Sequence, residues 1–226
     1  MLATKPIDTR ERILDAAEAV FMAHGFEGAS MRQITGEAGV NLAAVNYHFG
    51  GKEGLFHAVL KRRLDGLNTE RLRVLDELEK KAEGAPLKPS QIVDAFFGTL
   101  LRMGAEPGGE TFLRLLGRTL TEPAGFIGAV LAKEFADVLE RYKEALFRAL
   151  PDVPKEEIVW RFHFMLGATS YAIAGTDMLR LVTDWQTGPA GDDMESLLPR
   201  LMSFLLGGLR APLPAAPAAK PTRKKP

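Results

Sequence analysis

Apolar residues recur at intervals of three and four along nearly the whole chain before residue 210, and no stretch alternates apolar with polar as a half-buried strand does. That period admits an all-α fold and excludes sheet-based ones. Ile13, Leu14, Ala17, Val20 and Phe21 form one such stripe. With 226 residues, 46% of them hydrophobic and 26% charged, the chain can bury a sizeable core in one large or two small domains. It has no cysteine, which excludes disulfides, thiolate metal sites and a Cys nucleophile, and fits a reducing compartment. The opening MLATKPIDTRERI lacks the apolar run of a secretory signal. The longest uncharged apolar stretch, Phe162–Thr176, contains His163, Thr169 and Ser170 and is too short to cross a bilayer. A soluble, cytoplasmic protein without a membrane partner is expected.

Breakers and caps divide the pattern. Asp8 with Glu11 reads as a capping box, and Gly25 stops the first helix. Ser30 with Gln33 is an S-x-x-Q capping box for a short helix over Met31–Ala38. Gly39 ends it, Asn41 caps a third helix running to about His48, and Lys52 opens a fourth reaching about Lys81. A fifth follows the breaker-rich Gly84–Pro89 and ends near Gly104, and a sixth spans Glu110–Thr121. A seventh covers Gly125–Leu150, and an eighth, capped by Asp152, starts at Pro154 and reaches about Thr183. Gln186–Asp192 reads as a loop and Met194–Leu209 as the last helix. From Arg210 the Pro/Ala-rich APLPAAPAAKPTRKKP lacks apolar periodicity and reads as a disordered tail.

The second and third helices, joined by Gly39-Val40, have the form of a helix-turn-helix. Ala38 and Gly39 are small where the helices must cross, while Ile34, Val40 and Val45 can pack inward. The third helix is then free to enter a major groove, N-terminal residues toward the base edges. The alternative is an ordinary helical hairpin.

The stretch Thr9–Arg63 resembles the N-terminal domain of the TetR family of transcriptional regulators. The resemblance rests on Ala17, Phe21, Gly25 and Phe26 in an A-x-x-x-F-x-x-x-G-F run, the helix-turn-helix, and Tyr47-His48-Phe49 followed by Lys52-Glu53. It implies a DNA-binding head over residues 1–51, a connecting fourth helix over 52–81, and a helical ligand-binding and dimerisation domain over 82–209, before the tail at 210–226. It also implies base contacts near the start of the recognition helix, at Leu42, Ala43, Ala44 and Asn46, and phosphate contacts from Tyr47 and His48. Ala43 and Ala44 can touch a thymine methyl, and Asn46 can pair bidentately with adenine. Many relatives carry a hydroxyl residue where Ala44 stands and an aromatic where Asn46 stands, so the family's base code does not transfer. Ser30, Arg32 and Gln33 begin the second helix within reach of phosphate, and Lys52 adds a donor at a helix N-terminus. The family binds near-palindromic operators as dimers, which implies half-sites on one DNA face about one turn or a little more apart and steep salt dependence.

Beyond the head, Phe96, Phe97, Leu100, Phe112, Leu116, Phe126, Val130, Phe162, Met165 and Leu166 recur at helical spacing. They read either as ordinary core or as the lining of a cavity for a small apolar or amphipathic effector. Arg114 and Arg118, four apart, can clamp an anionic head group at its mouth or serve as surface ion-pair partners. The segments NLAAVNYHFG, LRLLGRTLTEP and GGLRAPLP are similar to fatty-acid-responsive members of the family, which implies a long-chain fatty acid or acyl-CoA effector. Gly167, Tyr171 and Gly175 on the eighth helix, with Leu197, Leu201, Phe204 and Leu205 on the last, resemble the family's dimeric four-helix bundle; packing within one chain is the alternative. Repression relieved by effector, with helix four tilted through helices six and seven, is the expected mechanism; activation is the other sign.

An enzyme is not expected. His24, His48, His57 and His163 have no metal-ligand spacing, and there is no nucleophile elbow or phosphate loop. Glu156-Glu157 and Asp192-Asp193 are neighbours that do not face each other on a helix. No cofactor or metal is implied. A helical binding module without DNA activity is the second rival. The formal charge of zero divides unevenly: residues 1–63 have eight basic and seven acidic side chains, 64–209 sixteen and twenty-two, and 210–226 five and none. Lys220, Arg223, Lys224 and Lys225 can add non-specific DNA affinity or merely solubilise the end.

Overall fold

The computed structural model describes residues 8–121, 125–174 and 194–213, without the side chains of 125–127, 129–130 and 194–196. Every regular element among them is a helix, as the apolar spacing predicts. Helices α1 (Thr9–Gly28), α2 (Met31–Ala38) and α3 (Leu42–Phe49) form the head, and α4 (Lys52–Lys81) leaves it. With 30 residues, α4 is about 45 Å long and spans both parts of the molecule. The body comprises α5 (Pro89–Val93), a π-helical turn (Asp94–Gly98), α6 (Thr99–Met103), α7 (Gly109–Thr121), α8 (Gly125–Ala149), α9 (Lys155–Ile173) and α10 (Met194–Leu209).

The head is built on the α1 stripe, whose Ile13, Ala17 and Phe21 are fully buried. Asp8 caps α1 by accepting from the Arg10 amide, but Glu11 does not return the bond. Its carboxylate pairs with Arg10 and Arg62, so the expected capping box is a single cap. Gly25, at φ 71° and ψ −179°, breaks the helix where the sequence places its stop, and a further turn carries the chain to Gly28. Few residues other than glycine adopt that conformation. The kink brings Phe26 beside Phe56, 5.0 Å between ring centroids, while Phe21 meets Phe56 edge-on at 4.9 Å. Such aromatic pairs contribute about 0.5–1.5 kcal/mol each beyond their buried area.

Both halves of the α2 capping box form: the Gln33 amide donates to Ser30 Oγ at 3.2 Å and the Ser30 amide to Gln33 Oε1 at 3.1 Å. Gly39 makes the turn in the left-handed region at φ 62°, and Asn41 Oδ1 caps α3 through the Ala44 amide at 2.9 Å. Arg12 pins this turn from α1, donating to the Ala38 carbonyl at 2.7 Å and to that of Gly39 at 3.2 Å.

In the body α4 packs on α8, and α7 crosses α9 closely. A Cβ at Gly117 would stand 2.5 Å from the Ala174 nitrogen, so only glycine permits this crossing. Arg161 near the start of α9 donates to the Leu209 carbonyl at the end of α10, at 2.7 Å, which sets the two helices antiparallel. α7 also rests directly on α1. Two details of the eighth helix differ from expectation. Asp152 is not its cap: Pro154 takes that position, with no side-chain hydrogen bond, and α9 begins at Lys155. The expected extension to Thr183, Gly175 within it and the loop Gln186–Asp192 lie outside the described residues, as does the tail beyond residue 213.

Candidate nucleic-acid interface and ligand cavity

The head presents one face of α3 to solvent. Of its eight residues only Val45 is wholly buried, which anchors the helix and turns the rest outward. Leu42 is 51% exposed and Tyr47 86%, and Ala43, Asn46 and His48 are exposed beside them. Ala44 is half-buried and packs against the core. Tyr47 and His48 lie edge to face at 5.2 Å. Ser30, Arg32 and Gln33 are exposed at the start of α2. In the capping box the Ser30 oxygen only accepts, so its hydroxyl hydrogen remains free to donate, as does the Gln33 amide group. Lys52 is placed differently. It is half-buried, donates to the Glu27 carbonyl at 3.3 Å and lies 4.6 Å from the Phe26 ring centre, stapling α4 to the end of α1.

Where head and body meet, Glu18 of α1 is 7% exposed and receives two arginines of α4. Arg62 reaches Oε2 while Arg63 donates through Nε to Oε1 at 2.8 Å and again through Nη2. Burial pushes the Glu18 pKa up, but the bonds from Arg63 and Arg62 outweigh it and hold the carboxyl below its ordinary range. Arg63 also lies over the Phe112 ring of α7, 5.9 Å from its centre, so this ion cluster joins α1, α4 and α7. A second bridge ties α4 to α8, where Glu134 accepts from Lys61 at 2.9 Å and pairs with His57 at 3.1 Å.

An apolar cavity of about 200 Å³ lies in the body between α4, the π-helical turn and α7 to α9. Phe96, Phe97, Leu100, Leu116 and Leu166, all expected at a ligand site, line it. Leu131, Phe135, Leu139 and Ile173 complete its apolar wall. Phe162 stands behind the wall, ring to ring with Phe96 at 5.1 Å and Phe97 at 5.6 Å. Met165 is buried but does not line the cavity, and Phe112 faces Arg63 instead. The side chains of Phe126 and Val130 lie outside the described residues. Arg114 and Arg118 do not stand at the mouth of this cavity. They line a separate cleft between α7 and α1, with Phe21, Met22 and Glu110, and Arg114 pairs with Glu110 at 2.7 Å. Their i, i+4 face turns toward the head, whereas Leu116 and Leu120 carry the cavity side of α7.

Two polar residues in the wall escape sequence reasoning. Arg71 is 2% exposed; its Nε donates to the Phe96 carbonyl at 3.0 Å and Nη1 to Asn68 Oδ1 at 3.2 Å. Its guanidinium stacks 3.8 Å from the Phe96 ring centre, and Tyr142 holds its backbone by donating to the carbonyl at 2.7 Å. Burial pushes the Arg71 pKa down, to about 9, which leaves it charged at neutral pH. Thr169 is 3% exposed, and its hydroxyl has no hydrogen-bond partner among the described residues. For Arg71 a signal exists in the sequence: it occupies the stripe of α4 between Leu67 and Leu75, where a charge is out of place.

Helices α9 and α10 carry large apolar side chains that are exposed among the described residues. Trp160 is 55% exposed, Phe164 63%, Tyr171 47% and Phe204 of α10 68%. Gly167 belongs to the same exposed face, with open space where a side chain would stand. Leu201 and Leu205 do not: at 7% and 1% exposure they pack inside the chain, and Leu197 is half-buried against the core. Periodicity marks both faces of α10 as apolar, and packing within the chain, against α9, α5, the π-helical turn and α6, takes the leucine face. Among the described residues no cluster of His, Asp or Glu can hold a metal ion, and no helix is long and apolar enough to cross a membrane.

Two family models match the chain: one for bacterial regulatory proteins of the tetR family over residues 13–59, and one for the tetracyclin repressor-like C-terminal domain over 94–208. The transcriptional repressor AcnR of Corynebacterium efficiens is 40% identical over 57 residues, 25% of this chain and 30% of that protein. The transcriptional regulator SrpR of Pseudomonas putida is 46% identical over 61 residues, 27% of this chain and 29% of that one. The chain thus matches less than a third of the length of either relative. Among solved structures, the fatty acid degradation regulator FadR of Bacillus halodurans superposes with a TM-score of 0.62 at 16% identity, covering 92% of this chain and 99% of that one. The FadR of Bacillus subtilis, solved with stearoyl-CoA, gives 0.59 at 13% identity, covering 88% and 98%. At such identities these structures establish the shared fold alone.

Proposed function

Because this chain belongs to the TetR family of bacterial transcriptional regulators, we propose that it is a homodimeric repressor, released from a near-palindromic operator when an apolar or amphipathic effector fills the body cavity. The observation that carries the reading is the outward row on α3. A helix that buries Val45 alone and exposes Leu42, Ala43, Asn46, Tyr47 and His48 has its free face at the tip of the head. Phosphate contacts from Tyr47, His48, Ser30, Arg32 and Gln33 position the head, while Asn46 and the small Ala43 meet base edges. The work is then cytoplasmic, with double-stranded DNA as the partner.

Dimerisation through the face of Trp160, Phe164, Gly167, Tyr171 and Phe204 covers large apolar side chains that are exposed among the described residues. The B. subtilis neighbour, in complex with stearoyl-CoA, and the apolar cavity wall together favour an acyl-type effector. The lever is α4. Arg71 at the cavity and Arg63 at the head joint are about 12 Å apart along it. An effector that fits better when α4 is displaced shifts the population toward released heads.

Footprinting of the DNA upstream of the gene tests the reading. A protected inverted repeat is expected, bound more weakly but with unchanged base preference in Tyr47→Ala, and with preference altered at one base pair of each half-site in Asn46→Ala. Absence of any protected site would favour a binding module without DNA activity.

A further inference from the structure

Resting on the cavity as the effector site, we infer that the effector is a free carboxylic acid with an apolar body, its carboxylate held inside the cavity by the Arg71 guanidinium and the Thr169 hydroxyl. A buried guanidinium ordinarily has a carboxylate beside it. Arg161, 7% exposed, has Glu157 at 2.8 Å, and even Arg62 and Arg63, about a third exposed, share Glu18. Arg71 has none among the described residues. Of its five N–H donors two are engaged, both by neutral oxygens, and its aromatic neighbours are the cavity-lining Phe96 and Phe135. A positive charge in an apolar wall calls for one negative charge on an apolar ligand.

Thr169 supplies the second, independent mark. Thr99, Thr119 and Ser170, also buried, donate to the carbonyl four residues earlier at 2.7–2.8 Å. Thr169 makes no such bond, although it sits on the same kind of helix and lines the same cavity as Arg71. An idle buried hydroxyl is a donor kept for an absent acceptor. Size selects among acids. About 200 Å³ is below the roughly 300–1,000 Å³ of sites for drug-sized ligands, which suits a medium-length chain. The nucleotide of a coenzyme A ester would have to stay outside, leaving Arg71 with an uncharged thioester carbonyl.

Full-length protein is titrated with decanoate, decan-1-ol and decanoyl-CoA, reading thermal midpoint and operator release. Decanoate should raise the midpoint and release DNA at concentrations at least tenfold below decan-1-ol. Thr169→Val should weaken decanoate several-fold and leave decan-1-ol unchanged, and Arg71→Gln should make the two equal. If Arg71→Gln does not fold, Thr169→Val decides. Equal potency of the alcohol, response to the thioester alone, or decanoate affinity unchanged in Thr169→Val would overturn the carboxylate and leave the effector cavity standing. If none of the three probes binds the wild type, the acyl reading falls together with the inference.

Discussion

At the scale of single residues, Thr169 and Gly117 show opposite constraints. The idle Thr169 hydroxyl is a desolvated donor, and an unsatisfied buried group of this kind costs roughly 1–3 kcal/mol. Thr169→Val, of the same shape, should therefore raise the ligand-free thermal midpoint by about 2–4 °C for each kcal/mol regained, measured by calorimetry. Gly117 has no room to give. A methyl group there meets the Ala174 backbone at 2.5 Å and 2.7 Å, so Gly117→Ala should force α7 from α9 and destabilise by about 1–3 kcal/mol, checked by urea unfolding. Neither residue stands out in the sequence, because a mid-helix threonine or glycine acquires its meaning only from what crosses it. Arg71 was legible in part, since a charge in the stripe between Leu67 and Leu75 needs a reason. Thr169, which lines the same cavity, was not, because it lies 98 positions away.

Among elements, the short helices of the head were the most legible. Ser30, Gln33, Gly39 and Asn41 carry local chemistry that holds wherever the helix packs, and each takes the backbone role that its type implies. Asn41→Ala should loosen the start of α3 by about 1 kcal/mol, seen as a lower thermal midpoint and weaker operator binding. The α9 and α10 pair was the least legible. Both helices are apolar around most of their girth, and period alone does not say which face meets the chain and which meets water. The structure separates them: Leu201 and Leu205 are core, while Phe164 and Phe204 are exposed. Phe164→Asp should keep its helical circular dichroism yet elute as a monomer and lose operator affinity. Leu201→Asp should instead unfold the body, because it buries a charge without a partner.

For the whole molecule, the ion cluster at Glu18 sets both acid stability and the head–body joint. Burial raises the carboxyl pKa of Glu18, but Arg63 and Arg62 lower it more; at Glu134 Lys61 and His57 do the same. Folded pKa values below the ordinary 4.5 give stability that is complete above that value and lost as pH falls through the folded ones. The thermal midpoint should thus be level from neutral pH to about 5 and fall below about 4.5. Glu18→Gln should flatten part of that fall and destabilise by roughly 1–3 kcal/mol at neutral pH, less than a fully buried pair because both arginines are about a third exposed. The charge balance of zero is likewise resolved by position, since the acidic excess belongs to residues 64–209 and not to the head. One feature of the architecture limits what any effector can do. The head is bolted to α4 through Glu18 and also rests on α7. A body hung from one rod can swivel about it, whereas a body seated on two supports turns only about the line between them. The head rests on two helices at once, and a displacement of α4 against α7 would therefore tilt it.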